Sequence, residues 1–207
     1  IPPSQKGKLM IINLACVAVS DLPLVGGKGA NLGELIGAGF PVPEGFCVTV
    51  DAYRAAVAGL DDMTAEEVAR VPFPPGLETD ILNAVTRLGG PVAVRSSATA
   101  EDLSDASFAG QQETFLGVVG NDVPEAVRRC WASLWSERAV AYRRTHGHSE
   151  DLALAVVIQR MVRADAAGVA FTVDPVTGRR EVTVESAFGL GESVVSGAVT
   201  PDSFRVG

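Results

Sequence analysis

Lys28 is the first residue whose type and setting suggest chemistry, because it lies in the glycine-rich segment Gly26-Gly27-Lys28-Gly29 before a predicted helix. Backbone N–H groups at a helix start favour anions, and glycines let a phosphate approach the backbone closely. A lysine adds a mobile point charge. The spacing is neither Walker A nor Rossmann, since position 22 is Leu and Gly29 replaces the Ser or Thr after the lysine. These residues alone leave open a phosphate site or an exposed lysine in a tight turn.

Arg95 is the second candidate, since it ends the apolar strand predicted for 91–95 and precedes Ser96 and Ser97. Ligands usually bind at strand ends in α/β sheets. An arginine fork with neighbouring hydroxyl groups suits a polyphosphate. The alternative is an arginine that forms a salt bridge at the edge of a sheet.

Two further polar segments lie beside predicted strands. Gly110 and Thr114 belong to a small polar loop that enters a strand, either a flexible cover over a phosphate or a plain turn. Gln159 follows the most apolar predicted strand, so its backbone and amide suit an adenine edge, and Met161 suits packing on the ring. The alternative for Gln159 is a hydrogen-bonded glutamine in the core.

The histidines and cysteines predict no metal site. His146 and His148 have no third ligand nearby in the sequence, so we expect a solvated connection there. The three cysteines are widely spaced and form no CxxC pair, which argues against zinc and favours a reducing compartment.

Strands and helices are mixed along the chain, which predicts the class α+β or α/β, of which we expect α+β. The apolar spacing over 122–144 predicts the strongest helix, with Trp131 and Trp135 as core anchors. Segments 168–173 and 181–185 are predicted to pair across the turn at 174–178.

Composition narrows the function classes. The 207 residues include 17 Lys+Arg against 25 Asp+Glu, a formal net charge of −8, which argues against a general nucleic-acid coat. No apolar run approaches the roughly 20 residues that a membrane-spanning helix needs. Residues 1–8 lack an initiator Met and are predicted to be a leader or added sequence, with Met10 as a candidate native start.

Seven segments occur in this order along the chain: VGGKGANLGE (25–34), VPEGF (42–46), AVRSSATAEDL (93–103), ASFAGQQET (106–114), CWASL (130–134), QRMV (159–162), and FGLGE with SGAVTPD (188–192 and 196–202). Together they resemble the N-terminal ATP-binding domain of the phosphoenolpyruvate synthase and pyruvate phosphate dikinase family, which includes the rifamycin-inactivating phosphotransferases. The resemblance covers nearly everything from Leu9 to Val206. Segments 42–48 and 172–178 lean toward the rifamycin phosphotransferase type.

The resemblance implies an ATP-grasp-like fold that holds MgATP between two lobes. Residues 9–207 would be the N-terminal part of that domain, with a lobe boundary near 105–110. By motif match, Lys28 and Arg95 would contact the phosphates and carry the catalysis. Gly110 and Thr114 would lie in the loop over the phosphates, and Gln159 would lie beside the adenine.

In such enzymes ATP gives its β-phosphate to a histidine on a separate mobile domain, and an acceptor such as pyruvate or rifamycin then receives it. The resemblance therefore implies ATP and Mg²⁺ as cofactors, phosphohistidine and acceptor domains as partners, and a cytoplasmic location. The family's ATP domain continues with further site residues, so we expect a chain truncated on its C-terminal side and inactive alone. Alternatives are a stand-alone nucleotide-sensing or partner-binding module and an ATP-grasp ligase.

Overall fold

The computed structural model describes residues 9–99, 113–146, 153–174 and 177–206, in two compact units that divide between Met161 and Val162. The fold is mixed α and β with antiparallel sheets, in agreement with the predicted class. The lobe boundary predicted near 105–110 falls outside the described residues and stays a prediction. No helix in the described ranges is long and apolar enough to span a bilayer.

The first unit combines a sheet with several helices. Its strands are β1 (Ile11–Asn13), β2 (Gly45–Val48), β3 (Val92–Ala98), β4 (Thr114–Val118) and β5 (Leu154–Arg160). Its α-helices are α1 (Leu22–Gly37), α2 (Val50–Val57), α3 (Ala65–Arg70), α4 (Leu77–Leu88), α5 (Val123–Ser133) and α6 (Glu137–His146). Short 3₁₀ turns cover Leu14–Cys16, Val19–Asp21 and Gly120–Asp122.

The five strands form one antiparallel sheet in the order β1-β2-β5-β3-β4. The central strand β5 is buried at six successive positions, from Leu154 to Gln159. Burial at consecutive positions means that both faces of the strand are covered, because successive side chains point to opposite faces. The sheet is therefore the middle layer of the unit.

Helices lie on both sides of this sheet. On one face, α1 contacts the sheet through Val25, whose carbonyl accepts hydrogen bonds from Ser97 and Cys47. On the other face, the guanidinium carbon of Arg129 in α5 lies 4.2 Å from the centre of the Phe115 ring in β4. The two faces thus have different chemical surroundings, and only one of them carries the glycine-rich segment.

Trp131 anchors the core on the α5 side, as its helical spacing predicts. Its side chain is fully buried and makes edge-to-face contacts with Tyr53 and Phe73, at centroid distances of 5.9 and 5.4 Å. Such aromatic pairs add roughly 0.5–1.5 kcal/mol each beyond the burial of apolar area.

The single helix predicted over 122–144 is wrong, because the structure breaks it into α5 and α6. At the junction, the hydroxyl groups of Ser133 and Ser136 donate to the carbonyls of Cys130 and Ser133. Serine hydroxyls that bond to nearby backbone carbonyls compete with regular helix geometry. The helical spacing of apolar residues continues across the break, so the sequence pattern predicts one helix where the structure has two.

The second unit is a three-stranded antiparallel sheet in the order β6-β7-β8 with one short helix. The elements are β6 (Ala166–Phe171), β7 (Val182–Phe188), α7 (Glu192–Val195) and β8 (Asp202–Val206). The predicted hairpin is confirmed, since β6 pairs with β7. The carboxylate of Asp174 stabilises the connection by accepting from the Thr177 N–H at 2.8 Å.

Candidate functional site

Gly26 interrupts α1 within its first two turns. Its backbone has φ +70° and ψ 173°, a non-helical conformation that separates 22–25 from 27–37. Lys28 is therefore the second residue of the longer arm, and it is half-buried. The predicted glycine-rich turn before a helix is in fact a kink inside one, with the lysine in the first turn after it.

Ser97 of β3 closes the gap that this kink opens. Its hydroxyl donates to the Val25 carbonyl at 2.8 Å and lies 3.1 Å from the Gly29 N–H, from which it accepts. Val25 and Gly29 are four residues apart, so a regular helix would join them directly. A side chain inserted into this ladder is a recognised cause of a helix kink. Ser97 thereby attaches the Lys28 segment to the sheet.

Arg95 lies on the same face of β3 as Ser97, because side chains two residues apart share a face. It is half-buried in the interior of the strand, which continues to Ala98, so its predicted place at a strand end is wrong. β3 lies between β5 and β4, which also excludes the sheet-edge alternative. Within the described residues, the Arg95 guanidinium forms no ion pair.

The two hydroxyl groups that follow Arg95 are engaged within the protein. Ser96 donates to the Glu113 carbonyl at 3.3 Å, and Ser97 donates to Val25. The structure therefore shows both hydroxyl groups holding neighbouring segments, a role that differs from the direct contact with a polyphosphate first suggested for them. The Ser96-Ser97 sequence does not indicate these hydrogen bonds, because Glu113 and Val25 are distant from it in the chain.

Thr114 is the direct cross-strand partner of Arg95 and is exposed. Directly opposed residues of an antiparallel pair share a face, so Thr114 extends the row that contains Arg95. Gly110, the other predicted residue of this loop, lies outside the described residues.

Gln159 is inside β5 rather than after it, and it pairs with Ala93. This register places Gln159 on the same face as Arg95, one row away. Its side chain is only 6% exposed, and its amide nitrogen donates to the Pro43 carbonyl at 3.1 Å. The hydrogen-bonded core glutamine, one of the two alternatives, thus describes its contacts in this structure.

Three charged groups act on the buried thiol of Cys130 in α5. Burial raises the pKa of Cys130, and the Glu113 carboxylate raises it further, whereas the positive charges of Arg129 and Lys28 oppose the rise. Glu113, Arg129 and Lys28 are therefore close enough to act on one buried atom.

A groove of about 820 Å³ lies elsewhere in the first unit, at the β1 edge and beside α4. Its lining includes Met10, Phe46 and Arg87 but none of the predicted site residues. We therefore locate the candidate site at the sheet face that carries Arg95 and Thr114, to which Ser97 attaches the Lys28 segment, rather than at this groove. Among the described residues no cluster of three His, Cys, Asp or Glu side chains suits a metal ion.

Sequence comparison adds an independent finding. Residues 22–207 match the family described as "Pyruvate phosphate dikinase, AMP/ATP-binding domain". This range contains every predicted site residue.

Curated relatives extend the match. The chain is 46% identical, over 95% of its length, to a phosphoenolpyruvate synthase of Aeropyrum pernix. It is also 46% identical, over 95% of its length, to a rifampicin phosphotransferase of Streptomyces sviceus, and 45% identical, over 94%, to a probable phosphoenolpyruvate synthase of Archaeoglobus fulgidus. The chain spans only 28%, 26% and 30% of these three proteins, respectively. It therefore belongs to the pyruvate phosphate dikinase AMP/ATP-binding domain family.

Proposed function

We propose that this chain is the ATP-binding portion of a phosphotransferase. Its parent enzyme passes the ATP β-phosphate to a histidine on a separate domain and then to an acceptor such as pyruvate or rifamycin. The observation that supports this most directly is the placement of Arg95 on the sheet face to which Ser97 attaches the Lys28 segment. A half-buried arginine without an ion pair in the described residues is suited to an anionic ligand.

In this proposal Lys28 and Arg95 bind and orient the phosphates. The arginine offers a planar fork for two oxygens, and the lysine supplies a compact charge at the start of a helix arm. Phosphoryl transfer depends mainly on positioning and on neutralising charge in the transition state. Strand β3 and the kinked helix α1 are rigid supports for Arg95 and Lys28, because Ser97 hydrogen-bonds the strand to the helix.

The remaining predicted residues keep more limited roles. Gly110 would lie in the loop over the phosphates and Thr114 where that loop enters β4, and Gln159, whose side chain holds Pro43, would lie beside the adenine. Mg²⁺ would neutralise charge on the phosphates, and we assign it no residue of this chain. The ATP-grasp-like fold, the phosphohistidine and acceptor domains, and a cytoplasmic location complete the proposal.

The names of the relatives support an enzyme over a stand-alone sensing or partner-binding module, since both names describe phosphoryl-transfer enzymes. They do not choose the acceptor, because two acceptors are represented at the same identity of 46%.

Titration calorimetry with MgATP tests this proposal on the chain itself. We expect Arg95→Ala to raise the Kd at least tenfold, which corresponds to about 1.4 kcal/mol. Arg70→Ala is the matched control, since it removes the same charge from an exposed pair with Glu66 at 2.8 Å. Wild-type protein that binds no MgATP, or equal affinities for the two variants, would contradict the proposal.

A further inference from the structure

We propose that Ser97 is a positioning residue that holds Lys28 in place for ATP binding by completing the helix hydrogen bond that the Gly26 kink breaks. The inference rests on the proposed function. It assigns a role to a buried side chain that would not touch the nucleotide itself, since its hydroxyl is already used by Val25 and Gly29.

The Ser97 hydroxyl, which belongs to strand β3, acts as an N-terminal cap for the longer arm of helix α1. A helix start is normally capped by the side chain of the residue before the first turn, which accepts from the second or third N–H. Gly26 holds that position and has no side chain, and Gly29 carries the third N–H. Ser97, 68 residues away from Gly29 in sequence, supplies the missing acceptor.

Glycine at position 26 is what allows this approach. A Cβ atom there would lie 2.2 Å from the Ser97 carbonyl oxygen and 2.5 Å from its hydroxyl oxygen, both far inside van der Waals contact. The absent side chain and the inserted hydroxyl are therefore complementary parts of one junction between α1 and β3.

Loss of the hydroxyl has two structural outcomes, and both displace Lys28. In one, the buried Gly29 N–H stays unpaired and the Val25 carbonyl keeps only the weak bond from the Cys47 thiol, which loosens the helix start. In the other, this N–H and the carbonyl bond directly, which straightens the kink and turns the first residues of the longer arm. Lys28 precedes Gly29, so its direction relative to Arg95 changes in either case.

A double-mutant cycle separates positioning from general stability. MgATP affinity is measured by calorimetry for the wild-type chain, Ser97→Ala, Lys28→Ala and the double variant. We expect Ser97→Ala to weaken binding about tenfold when Lys28 is present and less than twofold when it is absent, because the effect passes through Lys28. An equal factor in both backgrounds, or no effect of Ser97→Ala, would overturn the inference and leave the proposed function standing.

Thr49→Val is the matched control for a lost buried hydroxyl. Thr49 is fully buried, donates to the Leu9 carbonyl and accepts from the Ala52 N–H at the start of α2. We expect it to lower stability without changing the affinity for MgATP, and a loss of affinity equal to that of Ser97→Ala refutes the positioning role. Should Ser97→Ala fail to fold, Ser97→Cys takes its place in the cycle, with a smaller expected loss of about threefold. Wild-type protein without affinity for MgATP would reject the proposed function and this inference together.

Discussion

Gly26 shows how a single backbone conformation sets the geometry of the candidate site. Its φ of +70° lies in the region that glycine adopts readily and other residues avoid. Its lack of a Cβ also makes room for the Ser97 carbonyl. The glycine-rich pattern indicates that the backbone is special here, but it does not reveal which segment approaches it.

Gly26→Ala should destabilise the chain by about 3 kcal/mol or more, because strain from the positive φ adds to a clash with backbone atoms. Gly117→Ala is the control, since Gly117 has the same φ of +70° but open space around the added methyl group. We expect that variant to cost only about 1–2 kcal/mol. Urea denaturation measures both, and equal losses would show that the contact with Ser97 is unimportant for stability.

The junction between α5 and α6 is an example at the scale of elements. Trp135 lies between the two helices, and its indole N–H donates to the hydroxyl of Tyr53 in α2 at 2.9 Å. This bond ties the break in the long apolar segment to a helix 82 residues away in sequence. The break is therefore supported by tertiary contacts as well as by the local serine hydroxyls.

Tyr53→Phe should lower the free energy of unfolding by about 1 kcal/mol, the usual net contribution of such a hydrogen bond. Trp135→Phe should also destabilise the chain, and the double variant should lose less than the sum of the two single losses, because both remove the same bond. Thermal or urea unfolding of the four proteins checks this. Strictly additive losses would indicate that the bond contributes nothing to stability.

The two buried thiols influence the stability of the whole molecule. Burial raises the pKa of Cys47 above its ordinary value of 9.0, with a backbone hydrogen bond to Val156 opposing the rise. Burial raises the pKa of Cys130 in the same direction. Both thiols therefore stay protonated in the folded chain at a pH where the unfolded chain begins to lose those protons.

This difference predicts a loss of stability at alkaline pH. A raised pKa in the folded state leaves stability intact below about pH 9, and the unfolded state gains from deprotonation above it. With two such thiols the free energy of unfolding should fall by up to about 2.7 kcal/mol per pH unit above that point. Urea denaturation at pH 8 and pH 10 measures the fall.

The control for the alkaline prediction is the variant Cys47→Ala/Cys130→Ala. Its stability should be lower at both pH values because two core side chains are shortened. Its dependence on pH between 8 and 10 should nevertheless be smaller than that of the wild type. An unchanged dependence would assign the alkaline effect to other groups.

Cys16, the exposed cysteine, should be the thiol that reacts with Ellman's reagent in the folded wild-type chain.

Several features could be predicted from the amino-acid sequence by itself. Local composition and periodicity predicted the mixed fold class, the burial of Trp131 and the hairpin of β6 and β7. These features depend on residues that are near one another in the chain. Ordered motifs predicted the family, and the match over residues 22–207 confirms it. Lys28 and Arg95 were recognisable as candidates from residue type and setting, and their contacts with phosphate stay a prediction.

Only the tertiary structure decided how the segments that carry those candidates come together. The antiparallel register places Arg95, Thr114 and Gln159 on one face, and the Ser97 hydroxyl brings the Lys28 segment to the same face. The structure was also needed to show that Arg95 lies inside a strand and that the Gln159 side chain is hydrogen-bonded to Pro43. The physical reason is that these contacts join residues far apart in sequence, so no local pattern of charge, apolarity or glycine records them.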